Sequence, residues 1–513
     1  MDNFLKYFAQ DIGNIFHGFL NIFKSIFDFF VSIFDIKSRM EAIERNGAEF
    51  TLVEWILFIA SNLILLAIIV LLVVLAVKYG RKLFRFRAPI KKLDESENKI
   101  KELQRELIKM TYEKDRILSM KLGGLDKGNP GADANGTVGT NRNTIDSPCV
   151  DPASSRFFRL TAVDNYYKEV YAAPEYDNEI TLEQFCDKFR AYAASELHLY
   201  YDTKLIRHFV ASLGAVRIII LQGISGTGKT SLPYAFGKFV NNDSTVVSVQ
   251  PAWRERTELY GYFNEFTSKY TETEFLRAIY EANYIKDPSL VILDEMNIAR
   301  VEYYFAEMLS ILEMPIESEW KVNITSSVWD NDPCLLEDGK VHIPNNVWFI
   351  GTINNDDSTF AVADKVYDRA IPIDLDSRAE AFEAECEPSI RVSTSRLIDL
   401  FDIAKEEHPV SEELLAKLEE VNAYLIKNFR LAFGNRIMKQ LKDYVPCFVA
   451  CGGTELEAID FMVAKKVLRK FESLSLDFMK DELTAFNAFL DKTFGKENMT
   501  VCKEYINYLK RMN

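Results

Sequence analysis

The first forty residues carry a seven-residue repeat of large apolar and polar side chains. Three consecutive copies, Ile15–Asn21, Ile22–Asp28 and Phe29–Asp35, have apolar residues at the first, second, fifth and sixth places. On a helix of 3.6 residues per turn, these places share one broad face. The pattern predicts an amphipathic helix over residues 1–40 that lies in a membrane interface, with an oligomerising helix bundle as the alternative.

A longer apolar stretch runs from Trp55 to Val77 and contains 23 residues without a charge. At 1.5 Å per residue, a helix of this length spans ~34 Å, which exceeds a hydrocarbon core of ~30 Å. We therefore predict a transmembrane helix over residues 53–78. Lysine and arginine dominate the segment after it, whereas glutamates offset the arginines before it. The positive-inside rule then gives a single-pass arrangement with the rest of the chain in the cytoplasm.

Residues 90–121 show the apolar spacing of a heptad repeat. Its two seam positions are occupied by Leu93, Ile100 and Leu107, and by Leu103, Met110 and Ile117. The spacing predicts a short coiled coil that acts as a spacer, with a single solvated stalk helix as the alternative. The next segment, 122–156, is rich in glycine, asparagine and proline and poor in large apolar residues, which predicts a flexible linker.

Beyond the linker, short apolar runs alternate with helical patterns, which is typical of an α/β fold with a parallel sheet. The runs Ile218–Leu221, Ser289–Leu293 and Val347–Ile353 predict buried strands. We expect the α/β domain to cover residues 215–385. Helical segments are predicted on either side of it, over 157–214, 386–475 and 476–513.

The composition limits the classes of function. Of the 513 residues, 48% are hydrophobic and 27% are charged, as in ordinary globular proteins. The net charge of −15 disfavours a nucleic-acid partner held by a generally basic surface and leaves only a local basic patch for that role. Seven scattered cysteines without zinc-ligand spacing indicate a reducing compartment rather than a metal site.

The first predicted strand, Ile218–Leu221, leads into Gly223–Thr230. This segment matches G-x-x-x-x-G-K-[ST] at every fixed position. Glycines let the backbone N–H groups of such a loop approach phosphate oxygens, and the positive end of the following helix points at the same anion. We expect Lys229 to contact the β- and γ-phosphates and Thr230 to hold Mg²⁺. The residues predicted to bind the nucleotide and its Mg²⁺ are Gly223, Ser225, Gly226, Thr227, Gly228, Lys229, Thr230, Ser231 and Asp294.

Polar residues follow the other two predicted strands. Asp294 and Glu295 end the second strand, and Asn354 ends the third. Ligands in open α/β sheets bind outside the carboxyl ends of the strands, so these side chains should meet the phosphate loop. We predict that Asp294 shares the Mg²⁺ with Thr230. Glu295 is then expected to polarise the attacking water, and Asn354 to reach that water or the γ-phosphate.

Four motifs in order, LQGISGTGKT, LVILDEMNIARVEYYFAEMLSILE, FIGTIN and FGNRI, resemble those of the AAA+ ATPases. The branch that they resemble contains MoxR, the dynein-related modules and the McrB-type motor subunits. The resemblance covers about residues 200–471. It implies a P-loop AAA+ domain followed by a helical lid, assembled as a homo-oligomeric ring that is usually hexameric.

The same resemblance implies catalytic roles for residues in and beyond the third strand. Asn354 corresponds to the sensor-one polar residue, Arg369 to an arginine finger that completes a neighbour's site, and Arg436 to the sensor-two arginine of the lid. Family members often have consecutive arginines at the finger position and this chain has one, so a surface ion pair is the alternative for Arg369. In the loop that faces the ring's channel, Tyr260 and Tyr262 are expected either to grip a threaded chain or simply to pack.

Together these features predict a membrane-anchored AAA+ nucleoside triphosphatase. It is expected to hydrolyse ATP with Mg²⁺ in an oligomeric ring and to remodel or translocate a partner macromolecule. Two alternatives stay open: a slow-turnover membrane scaffold or switch in a defence or stress system, and a restriction-type motor that uses GTP. The sequence carries no fused nuclease or protease motif, so further effector chemistry is expected to belong to a partner protein.

Overall fold

The computed structural model divides into two compact units, residues 1–100 and residues 101–513. The residues that it describes are 51–84, 101–114, 151–177, 179–354, 359–376, 379–473 and 480–511, together with 21, 24, 25, 41, 44, 45, 99 and 116. Nearly all of the predicted amphipathic helix, both ends of the predicted coiled coil and most of the predicted linker therefore lie outside the described residues.

The first unit contains one long helix, α1, over Leu52–Phe84. This helix includes the whole uncharged stretch from Trp55 to Val77, and several of its side chains lie outside the described residues. Among the residues that the structure describes, no helix combines the length and the apolar character that a membrane crossing needs. The structure therefore gives the predicted membrane span no support, and the span stays a prediction.

The second unit begins with helices that precede the sheet. The α4 N-terminus is fixed by a capping box in which Thr181 and Gln184 satisfy each other's backbone N–H groups. Asp202 caps α5 by accepting a hydrogen bond from the Lys204 amide at 2.9 Å. The helices are α2 over residues 101–114, α3 (Phe158–Glu169), α4 (Leu182–Ser195) and α5 (Thr203–Ala215).

The centre of this unit is a five-stranded sheet with the order β2-β5-β8-β1-β9, in which every pairing is parallel. This finding confirms the predicted α/β fold with a parallel sheet. Two antiparallel hairpins, β3–β4 and β6–β7, lie outside that sheet. The strands are β1 (Ile218–Gly223), β2 (Thr245–Ser248), β3 (Gly261–Asn264), β4 (Lys269–Glu272), β5 (Ser289–Asp294), β6 (Lys321–Asn323), β7 (Lys340–His342), β8 (Val347–Asn354) and β9 (Ala370–Asp374).

Both faces of the sheet are covered, which explains why its strands are almost continuously apolar. Successive side chains of a strand point to opposite faces. In β1, Ile219 and Leu221 join the core formed with α4, α5 and the helices of residues 394–473, which we call the lid. Ile218 and Ile220 join the core on the other face. Full burial of each such side chain contributes roughly 1.5–3 kcal/mol, so β1 is anchored from both sides.

Helices follow the strands and then form a lid and a tail. The tail helices bury Phe486, Leu490 and Ile506 in the same core as the lid residue Phe448, so tail and lid fold as one body. Around the sheet lie α6 (Ser231–Phe239), α7 (Thr257–Tyr260), α8 (Glu274–Ala282), α9 (Val301–Tyr304), α10 (Ala306–Ile311) and α11 (Asp364–Tyr367). The lid and tail contain α12 (Thr394–Glu407), α13 (Glu412–Phe429), α14 (Asn435–Ala450), α15 (Glu455–Met462), a π-helical turn (Val463–Val467), a 3-10 helix (Leu468–Ser473), α16 (Lys480–Phe494) and α17 (Thr500–Arg511).

The end of α2 packs against the α/β domain. The Tyr112 ring is 4% exposed and stacks on Tyr166 of α3 with ring centroids 3.9 Å apart. Its hydroxyl donates a hydrogen bond to Glu281 of α8. Just beyond α2, Arg116 pairs with Asp243 at 2.8 Å, close to the start of β2. The segment predicted to be a spacer is thus also a docked part of this unit.

We expect Tyr112→Ala to release α2, because the change removes a buried ring together with its hydrogen bond. Leu107, on the same helix, is 66% exposed, so Leu107→Ala is the matched control. In hydrogen–deuterium exchange of the full chain, amide protection over 101–114 should fall at least about tenfold in Tyr112→Ala and stay unchanged in the control. Equal protection in the two variants would contradict the docked arrangement.

Candidate functional site

The phosphate loop joins the carboxyl end of β1 to the start of α6. Gly226 and Gly228 have φ angles of +81° and +94°, a region that other residues rarely adopt, so the loop's curvature requires glycine at these positions. The Thr227 hydroxyl donates a hydrogen bond to the Ile224 carbonyl at 3.0 Å, which connects two residues within the loop. Ser225 is exposed on the outer side of the loop, and Ser231 begins α6. Positive-φ glycines followed directly by a helix N-terminus are the geometry with which such loops bind a phosphate group.

Lys229 lies inside this curve. Its side chain is largely buried, and its ammonium donates to the carbonyls of Gly223 and Ile224 at 3.1 and 2.7 Å. A buried ammonium needs such partners, because an unpaired charge is costly away from water. The ammonium is therefore already placed within the loop that would hold the phosphates, where it can exchange carbonyl oxygens for phosphate oxygens.

One carboxylate oxygen connects the loop to the two central strands. Oδ1 of Asp294, at the end of β5, accepts hydrogen bonds from the Thr230 hydroxyl at 2.7 Å and from the Thr352 hydroxyl at 2.8 Å. The Thr352 oxygen in turn accepts the backbone N–H of Glu295 at 2.8 Å. Thr352 is buried in β8, and its hydroxyl connects the two acidic residues by donating to Asp294 and accepting from Glu295.

The donor set around Asp294 fits Mg²⁺. A carboxylate and a hydroxyl are hard oxygen ligands, and Mg²⁺ characteristically binds one or two protein oxygens together with water and substrate phosphates. Among the described residues, no group of three or more histidine, cysteine or acidic side chains could hold a metal ion. Thr230 and Asp294 are therefore the residues that would hold Mg²⁺, with its remaining ligands coming from phosphate and water.

Glu295 and Asn354 meet at the ends of the neighbouring strands β5 and β8. Glu295 has a φ of +52°, a left-handed conformation that costs a non-glycine residue roughly 1–3 kcal/mol, and its side chain is exposed. Asn354 Nδ2 donates to Glu295 Oε1 at 3.3 Å, and the Asn354 carbonyl accepts from Asn297 at 2.9 Å. The strained backbone thus turns the Glu295 carboxylate out of the sheet, beside the amide of Asn354.

The two predicted arginines lie elsewhere. Arg369 and Arg436 both bind the carboxylate of Glu313, Arg369 at 2.6 Å, and Arg369 also donates to the Lys365 carbonyl at 2.6 Å. They line a cavity of about 670 Å³ that includes Ile218, the first residue of β1. The phosphate loop follows the other end of this six-residue strand, roughly 20 Å away. The structure therefore brings the arginines together without bringing them to the phosphate loop of the same chain.

The two tyrosines of the predicted channel loop have different environments. Tyr260 is 2% exposed and packs edge-on against Phe275, so it is a core residue that cannot grip a passing chain. Tyr262, in β3, is 53% exposed, and Phe266 between β3 and β4 is fully exposed. Any gripping surface here therefore consists of the β3–β4 hairpin rather than of Tyr260.

Sequence reasoning missed Thr352 and Glu313. Thr352 lies inside the FIGTIN motif and is the one polar residue in the predicted apolar run Val347–Ile353. A polar side chain at a buried strand position could have indicated a role at the site. Glu313 ends the long motif that begins at β5, and nothing local distinguishes it from other surface glutamates. Its importance arises from two arginines that are distant in sequence.

No protein-family model matches the chain, and no curated protein matches it. Solved structures with some likeness include a candidate ATPase from Cytophaga hutchinsonii, at 12% identity and a TM-score of 0.41, covering 63% of this chain and 96% of that one. Another is a full-length MCM homologue from Methanopyrus kandleri, at 11% identity and a TM-score of 0.32, covering 57% of this chain and 61% of that one. Likenesses at these TM-scores carry no argument about fold or function, which rest on the geometry of this chain.

We expect Thr352→Val to lower the rate of nucleotide hydrolysis about tenfold or more while leaving triphosphate affinity close to that of the parent. Valine has nearly the same shape but leaves the Glu295 N–H without its acceptor, at a cost of roughly 1–3 kcal/mol. Thr352→Ser keeps the hydroxyl and is the matched control. Steady-state hydrolysis and nucleotide titration test the pair, and equal rates for the two variants would show that the hydroxyl has no such role.

Proposed function

We propose that this chain is a Mg²⁺-dependent nucleoside triphosphatase of the AAA+ type. The observation that carries the proposal is the pair of hydroxyl groups, from Thr230 and Thr352, on one oxygen of Asp294. These hydrogen bonds hold the phosphate loop, Asp294 and Glu295 in one fixed arrangement. The motif at Gly223–Thr230 supplies the phosphate specificity of that arrangement.

The residues divide the work of hydrolysis between them. Lys229 and the loop N–H groups bind the β- and γ-phosphates. Thr230 and Asp294 would hold a Mg²⁺ ion, which would supply positive charge to offset that of the phosphates. Glu295 accepts a proton from a water whose oxygen bonds to the γ-phosphorus, while the bond from that phosphorus to the bridging oxygen breaks. Asn354, which donates to Glu295, orients the carboxylate and the water. The products are the nucleoside diphosphate and inorganic phosphate.

We propose that Arg369 and Arg436 act on the nucleotide of an adjoining copy of this chain. Their separation from their own phosphate loop by the length of β1 supports this assignment. A guanidinium offers a planar fork of donors that suits phosphate oxygens and stabilises charge in phosphoryl transfer. Glu313 holds the two forks side by side, so both would reach the same neighbouring site. The functional form would then be a homo-oligomeric ring, usually hexameric in proteins of this type.

We propose ATP as the substrate and a partner macromolecule as the target of the ring's motion. The phosphate-binding residues contact the triphosphate and do not distinguish adenine from guanine. GTP is therefore the alternative substrate, and hydrolysis assays with both nucleotides distinguish the two. The exposed aromatic side chains of Tyr262 and Phe266 support contact with a partner at the β3–β4 hairpin. A protein partner agrees better with the net charge of −15 than a nucleic acid does.

We propose membrane attachment on the sequence alone. The uncharged stretch Trp55–Val77 supports a membrane span, and the basic residues after it favour a cytoplasmic location for the chain that follows.

Two substitutions should separate binding from hydrolysis. Lys229→Ala removes a charged contact to phosphate, and we expect triphosphate affinity to fall roughly 10- to 100-fold. Glu295→Gln keeps the shape of the side chain but cannot accept the proton, so binding should persist while the hydrolysis rate falls at least about 100-fold. Nucleotide titration and phosphate release, with ATP and with GTP, measure both. The site assignment fails if both variants hydrolyse at the parent's rate.

The full-length chain should remain in the membrane fraction after an alkaline wash and leave it only with detergent. An integral helix is held by burial of its apolar surface, which high pH does not reverse, whereas a peripheral protein is released. Immunoblots of the pellet and supernatant give the answer. Release by the alkaline wash alone would rule out a membrane span.

A further inference from the structure

Lys466 is a buried lysine that has no role in the proposed hydrolysis mechanism. It lies in the π-helical turn Val463–Val467 of the lid, between α15 and the 3-10 helix, and is 3% exposed. Burial lowers the pKa of its ammonium to about 7, despite the opposing effect of Asp368. Such a side chain is expensive to bury without partners, and π-helical turns are rare and often occur at functional sites.

The partners of this ammonium surround Arg369. Lys466 Nζ donates to the carbonyls of Tyr367, Asp368 and Ala370 at 2.6, 3.1 and 2.7 Å. All three donors of the ammonium are therefore satisfied by backbone of one short turn. Arg369 is the residue between the second and third of these carbonyls, so its backbone is fixed on both sides.

Other lid side chains hold the same turn at Asp368. Gln440 of α14 donates to the Asp368 carbonyl at 3.1 Å, and Lys470 pairs with the Asp368 carboxylate at 3.1 Å. Lys466 differs from them because its side chain contacts three carbonyls across the whole turn. The contacts from the lid therefore define where the turn before β9 can lie.

We infer that Lys466 is a positioning residue that fixes the turn presenting Arg369 to an adjoining subunit. The inference rests on the proposed action of Arg369 on a neighbour's nucleotide. An error of about 1 Å in the position of a catalytic group can lower the rate roughly 100-fold. The three hydrogen bonds that hold this turn would therefore affect hydrolysis in the adjoining subunit. Movement of the lid in one subunit would then shift Arg369 and change the rate of hydrolysis at the site of its neighbour.

The adjacent lysine provides a matched control. Lys465, in the same π-helical turn, is also buried, but it pairs with Asp374 of β9 and not with the turn around Arg369. Asp374 accepts from Gln222 at 2.7 Å, and Gln222 immediately precedes Gly223 in the chain. Lys465 therefore contacts the carboxyl end of β9, beside the end of β1, whereas Lys466 contacts the turn around Arg369.

The test measures complementation between subunits. Lys466→Met should bind triphosphate within about threefold of the parent and hydrolyse it roughly 10- to 100-fold more slowly. Its own site is intact and only its presentation of Arg369 is impaired. Mixing it with Glu295→Gln subunits, which lack hydrolysis but present a normal arginine, should therefore restore activity well above the sum of the two separate preparations. Any loss caused by Lys465→Met should not be restored in this way.

The same mixing experiment with Arg369→Ala shows which claim has failed. If Arg369→Ala is restored by Glu295→Gln subunits and Lys466→Met is not, or if both lysine variants behave alike, the role assigned to Lys466 is overturned. If the activity of Arg369→Ala is not restored, the proposed action of Arg369 on a neighbour is overturned. The role inferred for Lys466 is then overturned as well. Should Lys466→Met fail to fold, Lys470→Ala replaces it, with a smaller loss in the same direction and the same restoration expected; an unchanged rate would count against the inference.

Discussion

A single oxygen atom, Oδ1 of Asp294, fixes the geometry on which the rest of this site depends. It receives the Thr230 hydroxyl from the start of α6 and the Thr352 hydroxyl from β8. Hydrogen bonds to a charged acceptor contribute roughly 1.5–3 kcal/mol each, which is enough to hold these elements in one arrangement. The parallel register makes the meeting possible, since Leu293 of β5 lies opposite Gly351 and Leu221 of β1 lies opposite Thr352. The carboxyl ends of three strands therefore reach one edge of the sheet together.

The strand β1 also separates the two halves of the proposed chemistry. Its carboxyl end leads into the phosphate loop, and its amino end borders the cavity where Arg369 and Arg436 share Glu313. Within the described residues, Arg369 and Arg436 therefore lie at the opposite end of β1 from the phosphate loop that we propose as the nucleotide site. Assembly of identical copies would bring the two halves together, so that hydrolysis becomes a property of the interface. The lid takes part in both halves, because Lys465 contacts the carboxyl end of β9, beside the end of β1, and Lys466 holds the turn around Arg369.

The sequence was sufficient for features encoded by local pattern. The apolar runs predicted the central strands, and the motifs at their ends predicted that Lys229, Asp294 and Glu295 belong together. The sequence did not predict contacts made by side chains that are distant along the chain and chemically ordinary, such as Glu313. The heptad pattern of α2 describes one face of the helix and gives no information about Tyr112 on another face, where the docking contact lies. Tyr260 and Tyr262 are two residues apart, yet the chain changes from α7 to β3 between them, and one is buried while the other is exposed.

We propose that Thr230 and Asp294 hold a magnesium ion on a triphosphate bound by Lys229. A structure of the full chain with Mg²⁺ and a non-hydrolysable ATP analogue would decide this, with the GTP analogue as a parallel experiment. We expect a metal ion coordinated by the Thr230 hydroxyl, with Asp294 in its ligand or water shell, and Lys229 Nζ moved from the Gly223 and Ile224 carbonyls onto phosphate oxygens. An analogue bound elsewhere, or a phosphate loop that leaves Lys229 on those carbonyls at saturating nucleotide, would contradict it.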